Sequence, residues 1–149
     1  MRAILIDPVR HTFTLVKHEG DYRQIYKRLS DPKHGLKVTT FDAVRVDERN
    51  TVFVDDEGLT KNPRYFFKLK DYAQPLAGRG LVLGVNRDGE SCSTSLTLTH
   101  IKKLVRFVQL SVQGVKTSKG MTTFMGERMA YISSEPIFGP PEGEEENEQ

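Results

Sequence analysis

The chain has one cysteine, Cys92, no apolar run near the length of a membrane span, and no complete catalytic or cofactor signature in its 149 residues. A lone cysteine excludes an internal disulfide and gives no sign of an oxidising compartment. Crossing a bilayer as a helix takes about 20 consecutive apolar residues, and nothing here approaches that. Met1-Arg2 is followed by only four apolar residues before Asp7-Pro8, too few for a secretory signal. A cytoplasmic protein with no membrane partner is therefore expected. His-Glu-x-x-His, Gly-x-Ser-x-Gly and Cys-x-x-Cys do not occur. His11, His18, His34 and His100 share no ligand spacing. Cys92 with His100 is the one nucleophile–base pairing to consider, and a solitary cysteine is more often a passive, small, buried residue. No catalytic residue, metal ligand set or cofactor is assigned, and an enzyme is not expected.

What is present is charge, unevenly spread. The net charge is +2, but Glu142, Glu144, Glu145, Glu146 and Glu148 all lie in the last eight residues. Without them residues 1–141 hold 22 basic groups against 15 acidic ones, or +7. Such a body attracts anions at long range, although that charge is also ordinary for a soluble protein. The length suits one domain plus a tail, burying roughly 70% of the surface its unfolded chain exposes.

Taken in order, Arg2–Ile6 is a short apolar run ended by Asp7-Pro8. Thr12–Lys17 alternates, with Phe13 and Leu15 on one face and Thr14 and Val16 on the other. The two runs predict a hairpin around Val9–His11. Asp21, with Gln24 three residues on, predicts the N-cap of a helix over Tyr22–Ser30. Its inward stripe would be Tyr22, Ile25, Tyr26 and Leu29. Asp31-Pro32 and Gly35 end it. Lys37–Val46 and Thr51–Asp55 read as strands joined by the polar loop Asp47–Asn50. Asp55–Gly58 is a turn in which Gly58 is free to take positive φ. Arg64–Leu69 is a further strand, and Tyr72–Gly80 a loop. Leu81–Val85 is a strand apolar enough to be covered on both faces. A helix capped by Thr99 and running to about Val105 would bury Ile101, Leu104 and Val105, although this segment also alternates like a strand. Phe107–Val112 completes the set.

Together these predict an α+β domain over 1–112: mainly antiparallel sheet, one or two helices on one face. Residues 113–133 are expected to form an arm or extra hairpin, with homo-oligomerisation through it an option. Residues 134–149, rich in proline and glutamate, are expected to be disordered.

The sharpest polar cluster is Asp55-Asp56-Glu57. Adjacent carboxylates at a turn can hold a hard cation such as Mg²⁺. Neighbours on a strand point to opposite faces, however, and no D-x-D-x-D-G loop is present, so a solvated turn is the simpler reading. Gly78-Arg79-Gly80-Leu81-Val82-Leu83-Gly84 has the glycine density of a phosphate loop. It leads into a strand, not a helix, and lacks the Lys-Ser/Thr pair, which excludes a P-loop. A simpler anion nest, with Arg79 as its charge and the backbone amides beside it, stays open. Tyr72 and Gln74 precede the loop and join the candidate binding surface with Asp55, Asp56, Glu57, Gly78, Arg79 and Gly80. Lys68, Lys70, Lys102, Lys103 and Arg106, with Tyr65, Phe66, Phe67 and Tyr72, form a second candidate. Cations beside exposed aromatics grip phosphates and stack on bases.

The motifs GDYRQIYKRL (Gly20–Leu29), VFVDDEGL (Val52–Leu59) and YAQPLAGRGLVLG (Tyr72–Gly84) resemble a family of small proteins of unknown function encoded mostly by bacteriophages, plasmids and prophages. Members typically begin with a strand ending in Ile-Asp-Pro, as at Ile6-Asp7-Pro8. The resemblance covers about residues 1–110, and Arg79 stands where relatives often have lysine. It implies a setting, host cytoplasm, and no mechanism. The expectation that follows is a non-catalytic accessory protein binding a host macromolecule, a host protein, during infection. A nucleic-acid binder using the basic surface and a small-anion or nucleotide binder using Gly78–Gly84 are the alternatives.

Overall fold

Residues 1–60, 63–112 and 132–137 are described by the structure, a computed structural model. The first hairpin follows the alternation: β1 (Arg2–Asp7) runs antiparallel to β2 (Thr12–Lys17), with Ile4 opposite Leu15. Helix α1 (Tyr22–Leu29) begins at Asp21, whose carboxylate accepts from the Arg23 N–H at 2.9 Å. Gln24 does not close a capping box; its Oε1 accepts from the Glu19 N–H instead. Ile25 and Leu29 are buried, but Tyr22, expected inward, is 59% exposed. The helix docks through its later residues and leaves its first turn in water, where the Arg23 guanidinium lies over the Tyr22 ring.

A 3-10 turn at Pro32–His34 ends in Gly35 at φ 75°. Strands β3 (Phe41–Arg45) and β4 (Asn50–Asp55) form the second hairpin. β3 is shorter than the run that predicted it. Then come β5 (Phe66–Leu69), β6 (Leu76–Ala77), β7 (Gly80–Val85) and β8 (Ser91–Cys92). β6 lies inside the stretch expected as loop, because β5 offers it a partner: Phe66 pairs with Ala77. Helix α2 (Leu98–Leu104) is capped by Thr97 and not Thr99; the Thr97 hydroxyl accepts from the His100 N–H. Strand β9 (Val105–Val112) continues directly from it, and β10 (Ile132–Ile137) pairs back along β9.

Among the described residues all strand pairs are antiparallel, in keeping with the α+β reading, but they make two sheets and not one. The larger runs β2-β1-β7-β4-β3 with β8 against β7, and the smaller runs β10-β9-β5-β6. Period-2 alternation divides the core between the faces of the larger sheet. Ala3, Leu81 and Leu83 face α1, packing with Ile25 and Leu29. Ile4, Ile6, Val52, Val54 and Val82 face the other way, onto Phe67, Leu69, Ile101, Val105 and Phe107 of the second sheet and α2. One helix therefore serves each face. β7 is buried from Gly80 to Gly84, the double cover that its composition predicts.

Gly58 is not among the glycines at positive φ. What it supplies is room, since a Cβ there would lie 3.1 Å from both the Cβ and the carbonyl oxygen of Ala77. Residues 113–131 of the expected arm and 138–149 of the expected tail lie outside the described residues. Ser134–Ile137, expected to be disordered, are strand: the edge of β9 provides backbone partners that composition alone does not reveal. Among the described residues no helix is long and apolar enough to cross a membrane.

Candidate functional site

The site begins with two strand ends. β1 and β7 pair with Ile6 opposite Gly80, so one step further brings Asp7 level with Arg79. Alternation places both on the α1 face, beyond Ala3 and Leu5 on one strand and Leu81 and Leu83 on the other. The end of α1 delivers a third charge, Asp31, to the same place. Arg79 donates through Nη2 to Asp7 Oδ2 (3.3 Å) and Asp31 Oδ2 (3.1 Å). Its Nη1 donates to the carbonyls of Ser30 (3.0 Å) and Arg28 (3.3 Å). Arg10 adds a second cation, 3.0 Å from Asp7 and 3.3 Å from Asp31. Asp7 Oδ1 is taken up by the Val9 and Arg10 N–H groups. The side chains of Arg79, Asp7 and Asp31 are 14%, 5% and 8% exposed, so two carboxylates and a guanidinium balance one another largely out of water, with Arg10 at the rim.

Asp31 also receives His34, whose Nδ1 lies 2.8 Å from Oδ2. Burial acts to raise the Asp31 carboxyl. It is outweighed by the hydrogen bonds from His34 and Arg10 and by the Arg79 charge, which hold the group below the usual carboxylate range. The residue remains an anion inside the fold.

His34 connects this network to a cleft of about 450 Å³. The cleft is lined by the turn Lys33–Lys37, by Asp55 and Gly58 at the end of β4, by Pro63–Tyr65, and by Ala77 and Gly78. The close approach of Gly58 to Ala77, both in the lining, brings the acidic turn beside the glycine loop. Among the described residues the lining carries the cationic or titratable side chains Lys33, His34, Lys37 and Arg64 and one carboxylate, Asp55. Tyr65 meets His34 edge-on, ring centroids 6.1 Å apart.

The expected binding residues are divided by this geometry. Asp55 and Gly78 line the cleft. Asp56 and Glu57 are exposed on the turn, which is held by Asp55 Oδ1 accepting from the Glu57 N–H and by the Asp56 N–H donating to Thr40. Among the described residues no group of three or more His, Cys, Asp or Glu is placed to hold a metal ion. The nest built on Arg79 is corrected: its guanidinium is committed to Asp7 and Asp31, the Gly78 N–H donates to Tyr65, and Gly80 lies in β7. Gly80 is glycine because a Cβ would come within 2.8 Å of both Phe67 and Val52. Tyr72 packs against the core, and Gln74 is exposed away from the cleft lining. Cys92 pairs with Gly84 across β7 and β8, while His100 serves the cap of α2.

The basic residues fare differently. Lys68 pairs directly with Arg106 across β5 and β9, and the Lys70 N–H donates to Leu104 at the end of α2. Lys102, Lys103 and Arg106 are exposed. The Lys68 ammonium is turned back onto the carbonyls of Leu69 and Tyr72. Phe66 and Phe67 are core, 5% and 0% exposed, so neither presents a stacking face beside these cations, while Tyr65 lines the cleft and Tyr72 is partly buried against the core.

Asp7, Arg10, Asp31 and His34 of the network, and Lys33, Lys37 and Arg64 of the cleft, were not among the sequence candidates; Tyr65 was one only beside the cations of the second surface. A signal exists for one of them: Asp7 continues the inward series Ala3-Leu5, where a charge demands a partner. No family model, curated protein or solved structure matches the chain, so the site stands on its own geometry.

Proposed function

We propose that this is a binding protein for a small anion, held in the cleft between the Lys33–Lys37 turn, Asp55–Gly58 and Pro63–Tyr65. The observation that supports it is the convergence of Lys33, His34 and Arg64 on one cavity. Its volume falls in the range of small-molecule sites, roughly 300–1,000 Å³. Leu36, Pro63 and Tyr65 supply an apolar wall for the remainder of the ligand. Calorimetric titration with inorganic phosphate and with adenosine monophosphate tests this. Saturable binding that weakens as salt rises, and that is lost in Lys33→Glu/Arg64→Glu, is expected. Absence of saturable heat for both anions at low salt overturns it.

A second reading, nucleic-acid binding, is favoured by one observation: exposed Arg106 lies opposite Lys68 across β5 and β9, and exposed Lys70 bonds to Leu104 at the end of the helix that carries Lys102 and Lys103. It requires affinity that drops steeply with salt and on charge reversal at Lys102, Lys103 and Arg106. A flat salt response removes it. The reading as a phage accessory protein gripping a host macromolecule rests on the motif resemblance, and recovery of one stoichiometric host protein in a pull-down is its test.

A further inference from the structure

We propose that the anion taken by the cleft is a phosphate monoester, and that its binding draws one proton onto His34. The proposal rests on the anion-site reading and adds the chemical form of the ligand. His34 closes the 3-10 turn, its side chain is 32% exposed, and it is one of the residues that line the cleft. Its Nδ1 is spent on Asp31 Oδ2 at 2.8 Å. Asp31 is ionised by its surroundings, and an ionised carboxylate only accepts, so Nδ1 carries the hydrogen. The nitrogen left for whatever enters is Nε2, on the opposite edge of the ring; among the described residues it has no hydrogen-bond partner.

A phosphate oxygen is also an acceptor. With Asp31 behind the ring and phosphate in front, both nitrogens must be N–H, which is the imidazolium. Where the ring of the free protein is neutral, the second hydrogen comes from solvent. The charges facing the ring define this exchange from every side. Behind it stand Asp31 and, through Asp31, Arg10, Arg79 and Asp7. Lys33 shares its turn, and Lys37, Asp55, Arg64 and Tyr65 line the cleft with it. A dianion gains more from this setting than a monoanion of equal size, because each cation and the incoming proton acts on twice the charge. Tyr65, edge-on to the imidazole, and Pro63 offer the wall for the ester's organic group.

The experiment is calorimetric titration of the full chain with phenyl phosphate, inorganic phosphate and benzenesulfonate. It is run at pH 7.5 and 8.5 in buffers of differing ionisation enthalpy. Phosphate monoesters are dianions throughout this range, since their second ionisation falls near pH 6. The expected result is binding of phenyl phosphate with uptake of about one proton, and affinity falling about tenfold per pH unit. Benzenesulfonate should bind about tenfold more weakly or worse. His34→Gln should abolish the proton uptake. If that variant does not fold, the buffer dependence of the wild type decides alone. Binding without buffer-dependent heat overturns the proton-linked site and leaves the anion site standing. Inorganic phosphate binding as tightly as phenyl phosphate overturns the ester. No binding of any of the three overturns both readings together.

Discussion

Arg79 reaches acceptors in two separate parts of the chain: Asp7 at the end of β1, and the Arg28 and Ser30 carbonyls with Asp31 at the end of α1. Truncating one partner of a buried ion pair costs about 3–5 kcal/mol, because the remaining charge stays buried without compensation. Arg79→Ala is expected to lower stability by about that amount in urea denaturation. A loss below ~1 kcal/mol would mean that Arg10 alone balances both carboxylates. Arg79→Lys should recover only part of the loss, since an ammonium cannot fork across two carboxylates and two carbonyls. His18 gives a residue-scale pH dependence. It is 2% exposed, its Nδ1 has no hydrogen-bond partner among the described residues, and burial, followed by the N-terminal ammonium and Arg28, lowers its affinity for a proton. A folded-state value below the unfolded one means that its contribution is fully present above about pH 6.5 and is lost as pH falls through the folded value. Thermal melts at pH 7.5 and 5.5 should show that loss in the wild type and a smaller one in His18→Gln. Equal losses in both would place the effect elsewhere. Gly84 is a matter of space: a Cβ would lie 2.4 Å from the Ser93 carbonyl oxygen. Because that neighbour is backbone, Gly84→Ala is expected to cost about 1–3 kcal/mol or to detach β8 from β7.

Elements were the most legible scale. The β1–β2 hairpin, α1 with its Asp21 cap, the β3–β4 hairpin and β7 follow from alternation, capping residues and apolar runs. Asp21→Ala should therefore cost about 1 kcal/mol, the usual worth of an N-cap, with the loss visible in helical circular dichroism. Thr97→Ala should act likewise on α2. A null effect at position 97 with a loss at Thr99 would restore the cap first expected there. What sequence could not show is pairing between elements distant along the chain. β6 has two residues and no pattern of its own; it is a strand because β5 lies beside it. The division into two sheets depends on which face Phe67 and Leu69 choose. The cleft was missed for the same reason, being assembled from turns at 33–37, 55–58, 63–65 and 77–78, none of which carries a motif. Arg79 was singled out for its charge, but its partners became visible only with the β1–β7 register.

At the scale of the whole molecule, the anion reading makes a thermodynamic demand. A ligand confined to the folded state raises stability by about 2.7 kcal/mol at a hundredfold excess over its Kd. Melting temperature should therefore climb with phosphate monoester concentration in the wild type and stay flat in Lys33→Glu/Arg64→Glu. The topology carries a different consequence. β7 lies between β1 and β4, so residues 80–85 join two hairpins that are otherwise not neighbours. On a ribosome the first 79 residues hold three ribbons, β1–β2, β3–β4 and β5–β6, which the central strand has not yet joined, and α1 still lacks Leu81 and Leu83 beneath it. Assembly of the large sheet waits for the second half of the chain, and until then the ribbons offer open edges to any passing strand. Nascent chains arrested before Gly80 should be protease-sensitive throughout, and chains extended past Val85 by the length of the exit tunnel should abruptly resist.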